Sequence, residues 1–191
     1  MTGVSNGRLG MMLLVGTETL IFSSFIGAYL VLRGAAASWP PFGTPRLTLD
    51  LSSVNTAILA FSTFQVWRGR LRLTFLLGGV FLVLQALEFH RLYARGLTLQ
   101  TGTYGALFYT LVTCHGLHVL GGLAILGVAL GKKRATRASE HRSMGEGEQD
   151  FSPTPRCTDA PLPNDWAEYA ELYWHFVTAV WLVLFSILYI V

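Results

Sequence analysis

Hydrophobic residues make up 52% of this 191-residue chain and charged residues only 13%, against about 25% charged in an ordinary soluble domain. Together with a mean hydropathy of +0.47, that composition excludes a water-soluble globule. The net charge of +3 then reads as basic loops held at one membrane surface rather than as a face for nucleic acid. Two cysteines exclude a disulfide framework, and Cys114 in an apolar run is not expected to bridge to Cys157 in a polar one.

A hydrocarbon core about 30 Å thick needs roughly 20 apolar residues of helix, and five segments meet or approach that length. The first, Leu9–Leu32, is interrupted only by Glu18. A cleavable leader is not expected despite the small residues at 34–38, because the run is longer than a signal core and holds a carboxylate. Leu51–Trp67 follows, borrowing Thr48–Asp50 at its start, and then Leu73–Tyr93. Tyr104–Leu130 and Leu172–Val191 contain no Asp, Glu, Lys or Arg. The predicted fold is an all-α bundle of five transmembrane helices forming one domain over residues 1–191.

Charge in the connections predicts its orientation. With the N-terminus in the cytoplasm, that side receives Arg8, Arg68, Arg70, Arg72, Lys132, Lys133, Arg134, Arg137, Arg142 and Arg156. The opposite side holds Arg33, Arg46, Arg91 and Arg95. Basic residues favour the cytoplasm, so the C-terminus is expected outside. Gly131–Asp165 is the long connection, with six basic and six acidic residues and four of the seven prolines. Its composition cannot bury a core, and it is expected to be a mobile cytoplasmic loop.

Ionisable groups at membrane depth cost about 2.5–3.5 kcal/mol each on insertion scales and need partners, so function is sought among them. Glu18, the most isolated of them, lies about 14 Å into its helix on a row with Phe22, Phe25 and Tyr29. Ser23 and Gly27, on a neighbouring stripe, suit close approach of another helix. The third helix aligns Gly78, Phe81, Gln85 and Glu88; the fourth aligns Tyr104, Phe108, Leu111, His115, His118 and Gly122. The fifth aligns Glu171, His175, Thr178, Leu182, Phe185 and Tyr189. Glu88 paired with a histidine of the fourth or fifth helix would satisfy both. Metal or haem ligation by His115 or His118 with His175 is the sharper reading of these imidazoles, and structural hydrogen bonding the plainer one. The chain has no Glu-x-x-His pair of the kind a di-iron bundle needs. Trp39, Trp166 and Trp174 suit an interfacial belt.

In order along the chain, these stripes resemble subunit III of the haem–copper respiratory oxidases. The segment ETLIFSSFIGAY from Glu18 to Tyr29 is similar to the family's helix with a buried, carbodiimide-reactive glutamate. Asn55-Thr56 and then Gln85 to Phe89 (QALEF) are similar to the next two helices. Tyr104-Gly105, Phe108 and His115–Val119 (HGLHV) resemble the fourth, and Tyr173–Val177 (YWHFV) with Val180–Leu182 (VWL) the fifth. Thr178 stands where the family commonly has an acid, so no carboxylate role is carried over there. Five spans resemble the bacterial short form of the family, located in the inner membrane.

The resemblance implies a non-catalytic core subunit with no redox centre, catalytic residue or metal of its own. Haem and copper belong to partner subunits. The implied partners are the catalytic subunit I, which reduces O₂ and pumps protons, subunits II and IV, and phospholipid held in a cleft. Glu18, Glu88, His115, His118 and His175 are the buried polar or proton-linked candidates, with Asn55, Gln85, Tyr104 and Trp174 as structural polar groups. Two rival readings are the accessory subunit of a nitric oxide reductase and a free-standing membrane cytochrome b. A small transporter is the weakest, since broken helices and an inverted repeat are lacking.

Overall fold

A computed structural model describes residues 6–45, 47, 49–145 and 165–190, with the backbone alone at 137–145 and 165. It contains five long α-helices: α1 (Asn6–Ala35), α2 (Leu49–Trp67), α3 (Leu71–Ala94), α4 (Thr103–Gly145) and α5 (Asp165–Phe185), the last continued by a π-helical turn at Ser186–Ile190. Among the described residues α1, α3, α4 and α5 are long and apolar enough to cross a membrane. At 19 residues α2 is of spanning length, but eight of its residues carry polar side chains. The reason is visible in its packing. Ser52, Asn55, Ser62 and Gln65 are all buried, turned toward the other helices.

Short connections make α2 and α3 an antiparallel pair, and one device ends both helices. Gly69 (φ +70°) and Gly96 (φ +89°) take the left-handed conformation that a residue with Cβ resists. The Gly69 N–H donates to Val66 O at 2.8 Å and the Arg70 N–H to Gln65 O at 3.0 Å. After α3, the Gly96 N–H donates to Tyr93 O and the Leu97 N–H to Leu92 O, both at 3.0 Å. This crossed pair satisfies carbonyls that a helix end otherwise leaves orphaned. At the second turn Leu92 and Leu97 are both fully buried, supplying the apolar contact that accompanies the motif.

In the bundle α5 packs against α1, α2 and α4, while α3 lies against α2 and α4. One stripe of α5 explains why α2 is polar. The Trp174 Nε1–H donates to Ser62 Oγ at 2.9 Å, the Thr178 and Thr63 hydroxyls meet at 2.6 Å, and the Trp181 Nε1–H donates to Thr56 Oγ1 at 3.0 Å. Positions i, i+4 and i+7 thus tie the two helices along their length. Interhelical bonds of this kind contribute about 0.6 kcal/mol on average in membranes. A double-mutant cycle on Thr63→Val and Thr178→Val, followed by unfolding in mixed micelles, is expected to return a coupling of about that size. A coupling near zero would mean that the hydroxyls do not bond one another.

Three expectations change here. The inward face of α5 is Tyr173, Trp174, Val177, Thr178, Trp181 and Leu184, all buried, whereas Leu182 is 44% exposed. The true stripe is therefore rotated from the row that begins at Glu171. Trp174 is not a belt residue. It is fully buried at the point where Gly78 of α3 and Gly122 of α4 leave room for its ring. The segment expected as a loop from Gly131 begins as helix, because α4 runs on to Gly145. Its Lys, Arg, Ala and Glu residues are good helix formers. Residues 146–164 lie outside the described residues.

Candidate functional site

At mid-helix α1 turns Phe22 and Tyr29 into the bundle, with Glu18 and Phe25 half-buried on the same row. Glu18 is not isolated. Its Oε2 meets Nε2 of His118 on α4 in a short hydrogen bond, with both side chains less than a fifth exposed. The other ring nitrogen, Nδ1, lies 2.6 Å from Cys114 O. A carbonyl can only accept, so Nδ1 carries a proton and donates it. The contact between Nε2 and the carboxyl then holds one further proton, whichever atom carries it. As a neutral acid with neutral imidazole, or as carboxylate with imidazolium, the pair has no net charge. That is how both groups sit at membrane depth. The Phe22 ring closes over His118 edge-on, with centroids 4.8 Å apart.

His115, one helical turn before His118, behaves differently. It is 1% exposed, stacked on Trp181 at 5.0 Å and met edge-on by Phe81 at 6.0 Å and Phe22 at 6.4 Å. Neither ring nitrogen has a hydrogen-bond partner among the described residues. His115 therefore packs as an aromatic ring rather than through the hydrogen bonds expected of it. His175 does not approach the other two histidines. It lies 3.7 Å from Glu171 of its own helix, with both side chains about 40% exposed. Among the described residues no three His, Cys, Asp or Glu side chains group closely enough to hold a metal ion.

A second polar layer lies between α2 and α3. The Asn55 Nδ2–H donates to Gln85 Oε1 at 3.2 Å, and both residues are buried. Glu88, one turn beyond Gln85, is 3% exposed. Glu88 does not take a histidine partner: His118 is held by Glu18 and His175 lies against Glu171. Arg91 and Arg95 follow Glu88 within two turns at the end of α3. Tyr104 is buried at the head of α4 with Trp39 edge-on at 5.3 Å, and the Trp39 Nε1–H donates to Tyr29 OH at 3.0 Å. These rings lock the end of α1 and the segment after it onto α4.

Some inward positions were missed from sequence and one expected contact does not form. Ser62, Thr63 and Thr56 act as bonding partners of α5, and only their hydroxyls in an otherwise apolar run signalled it. A Cβ added at Gly27 would meet nothing within 4 Å among the described residues, so the small stripe beside Ser23 lies open. Close approach occurs at Gly78, where an added Cβ would strike the Trp174 ring, and at Gly122, where it would lie 3.1 Å from that ring.

Comparison with known proteins places this arrangement. The family described as cytochrome c oxidase subunit III matches residues 2–148. A cytochrome c oxidase subunit 3 of Thermostichus vulcanus is 32% identical over 95% of this chain and 86% of its own length. The subunit 3 of Synechocystis is 34% identical over 95% of this chain and 74% of that protein. A cytochrome bo(3) ubiquinol oxidase subunit 3 of Pseudomonas putida is 28% identical over 95% and 84% of the two chains.

Proposed function

The chain belongs to the subunit III family of the haem–copper oxidases, and from that premise we propose that it is a non-catalytic core subunit of a proton-pumping terminal oxidase in a bacterial inner membrane. It stands beside subunit I, with subunits II and IV in the same complex, and stabilises the catalytic subunit and its proton uptake. All five helices span the bilayer, with the N-terminus cytoplasmic. The haems and copper reside in the partners, and phospholipid binds this chain.

The match over residues 2–148 carries the reading. The internal chemistry supports it. Glu18 and His118 close on each other, and Asn55 bonds Gln85. His115 is enclosed by rings. Such a bundle presents apolar surface to lipid and neighbours and turns these polar groups toward its interior. On α1, Leu13, Leu20 and Val31 are all more than 60% exposed, an open flank for a partner helix or lipid. The open stripe of Ser23 and Gly27 lies on the same helix. The physical role is solvation: a rigid, lipid-bearing bundle shapes water access and dielectric around the proton entry of its neighbour.

The test compares the oxidase complex with and without this chain. The complex lacking it is expected to inactivate earlier during turnover and to take up protons more slowly. Unchanged lifetime and proton stoichiometry would refute the role. A nitric oxide reductase as the co-purifying catalytic partner would favour the accessory reading instead.

A further inference from the structure

One end of the bundle gathers the α2–α3 turn, the later turns of α4 and the start of α5, where Lys132 sits 4.1 Å over the Trp166 ring. Two adjoining cavities open there between α3 and α4. The first, about 370 Å³, is bordered by Arg70, Arg72, Lys133 and Arg134, with Leu73 and Leu130 below them. The second, about 430 Å³, shares Arg72, Leu130 and Arg134 and continues along Phe75, Leu76 and Gly127. The register makes this a continuous groove. On α3 the cation at 72 is followed by apolar residues at 75 and 76, and on α4 the cation at 134 is preceded by 130 and 127. Each helix thus presents charge at the rim and apolar surface deeper in, about 5–6 Å on α3 and about 6–10 Å on α4.

Among the described residues no acidic side chain borders either cavity. Among the described residues none of the four cations takes part in an ion pair. Four like charges around one opening repel one another and favour an anion. A bare inorganic ion would leave the floor of Phe75, 38% exposed, and Leu76, 63% exposed, uncovered. A zwitterionic headgroup would bring a fifth cation to the rim. An amphiphile with a net negative head and an acyl chain fits both parts.

We propose that the α3–α4 groove binds an anionic phospholipid, its headgroup phosphate held by Arg70, Arg72, Lys133 and Arg134 and an acyl chain lying over Leu76, Phe75 and Gly127. This deepens the lipid-binding part of the proposed function and does not depend on the identity of the oxidase. Basic pockets between membrane helices are suited to such headgroups. Gly127 matters because its missing side chain keeps the floor open: an added Cβ would meet only Phe75, at 3.9 Å.

The test uses the purified full chain in a neutral detergent, with phosphatidylglycerol, phosphatidylcholine and inorganic phosphate as probes and native mass spectrometry as readout. Phosphatidylglycerol is expected to bind about tenfold or more tighter than phosphatidylcholine and to resist a large excess of phosphate. Arg72→Gln with Arg134→Gln should abolish the preference. Gly127→Leu should weaken phosphatidylglycerol binding without changing the charge. Arg91→Gln with Arg95→Gln, which removes the same charge at the other end of α3, should leave it intact.

Equal retention of the two lipids would overturn the inference while leaving general lipid binding standing; retention of neither would sink both. Displacement of the lipid by phosphate would reduce the site to a bare anion site and overturn the acyl assignment. Binding that emerges only after Glu146, Glu148 and Asp150 are neutralised would assign the groove to the chain's own acidic stretch.

Discussion

Trp174→Ala should lower the stability of the bundle by about 3 kcal/mol or more, the low end for emptying a buried aromatic site. The ring is fully buried and its Nε1–H bonds Ser62 at 2.9 Å. It also rests in the space left by Gly78 of α3 and Gly122 of α4, so one side chain joins four of the five helices. Within lipid the gain on burial is close packing rather than removal from water, which makes a void at this junction the dominant loss. Trp174→Phe keeps most of the ring volume and gives up the Ser62 bond, and should cost about 1 kcal/mol. Gly78→Leu attacks the same junction from α3 and should be at least as damaging as the alanine variant, because the neighbour it strikes is a wedged ring. Unfolding in mixed micelles measures all three. Loss of less than about 0.5 kcal/mol in the alanine variant would mean that the ring is not a wedge.

Substitutions at Glu18 should separate by charge rather than by size. With Nδ1 of His118 committed to Cys114 O, Nε2 faces the carboxyl across one proton. Glu18→Gln supplies an amide N–H to that nitrogen and should cost less than about 1 kcal/mol. Glu18→Ala leaves the imidazole without its partner and should cost about 1–3 kcal/mol. Glu18→Lys sets a cation against an imidazole whose free nitrogen can no longer be matched by an acid. It should cost about 2.5–3.5 kcal/mol for the charge alone and reduce the yield of assembled protein. The order Gln, Ala, Lys is the expected result in an unfolding assay. Equal tolerance of Gln and Lys would mean that position 18 faces water.

The helices were legible because composition sets them directly: long uncharged runs at 104–130 and 172–191 admit little else. The faces of α3 and α4 were legible too. Gly78, Phe81, Gln85 and Glu88 are all buried, as are Tyr104, Phe108, Leu111, His115 and Gly122. On α5 the periodicity misled, because Glu171 and His175 drew the inward row toward the polar groups. The packing instead follows the two tryptophans that find hydroxyl partners on α2. Pairing between helices was the least legible part. By sequence the histidine partner belonged to Glu88, and Glu18 was the most isolated of the buried acids. The selection of His118 by Glu18 depends on how α1 rests against α4, which no local pattern states. The turns after α2 and α3 had a signal in the Arg-Gly pairs at 68–69 and 95–96, since glycine just past a helical run is a common stop.

The most direct measurement on the whole account is a haem absorption spectrum followed through purification. The tagged chain would be drawn from its native membrane in mild detergent and then separated from whatever accompanies it. The haem bands are expected to arrive with a co-purified catalytic oxidase subunit and leave with it, the separated chain remaining colourless. A Soret band that stays with the separated polypeptide, and is lost on replacing His115 or His118, would contradict it.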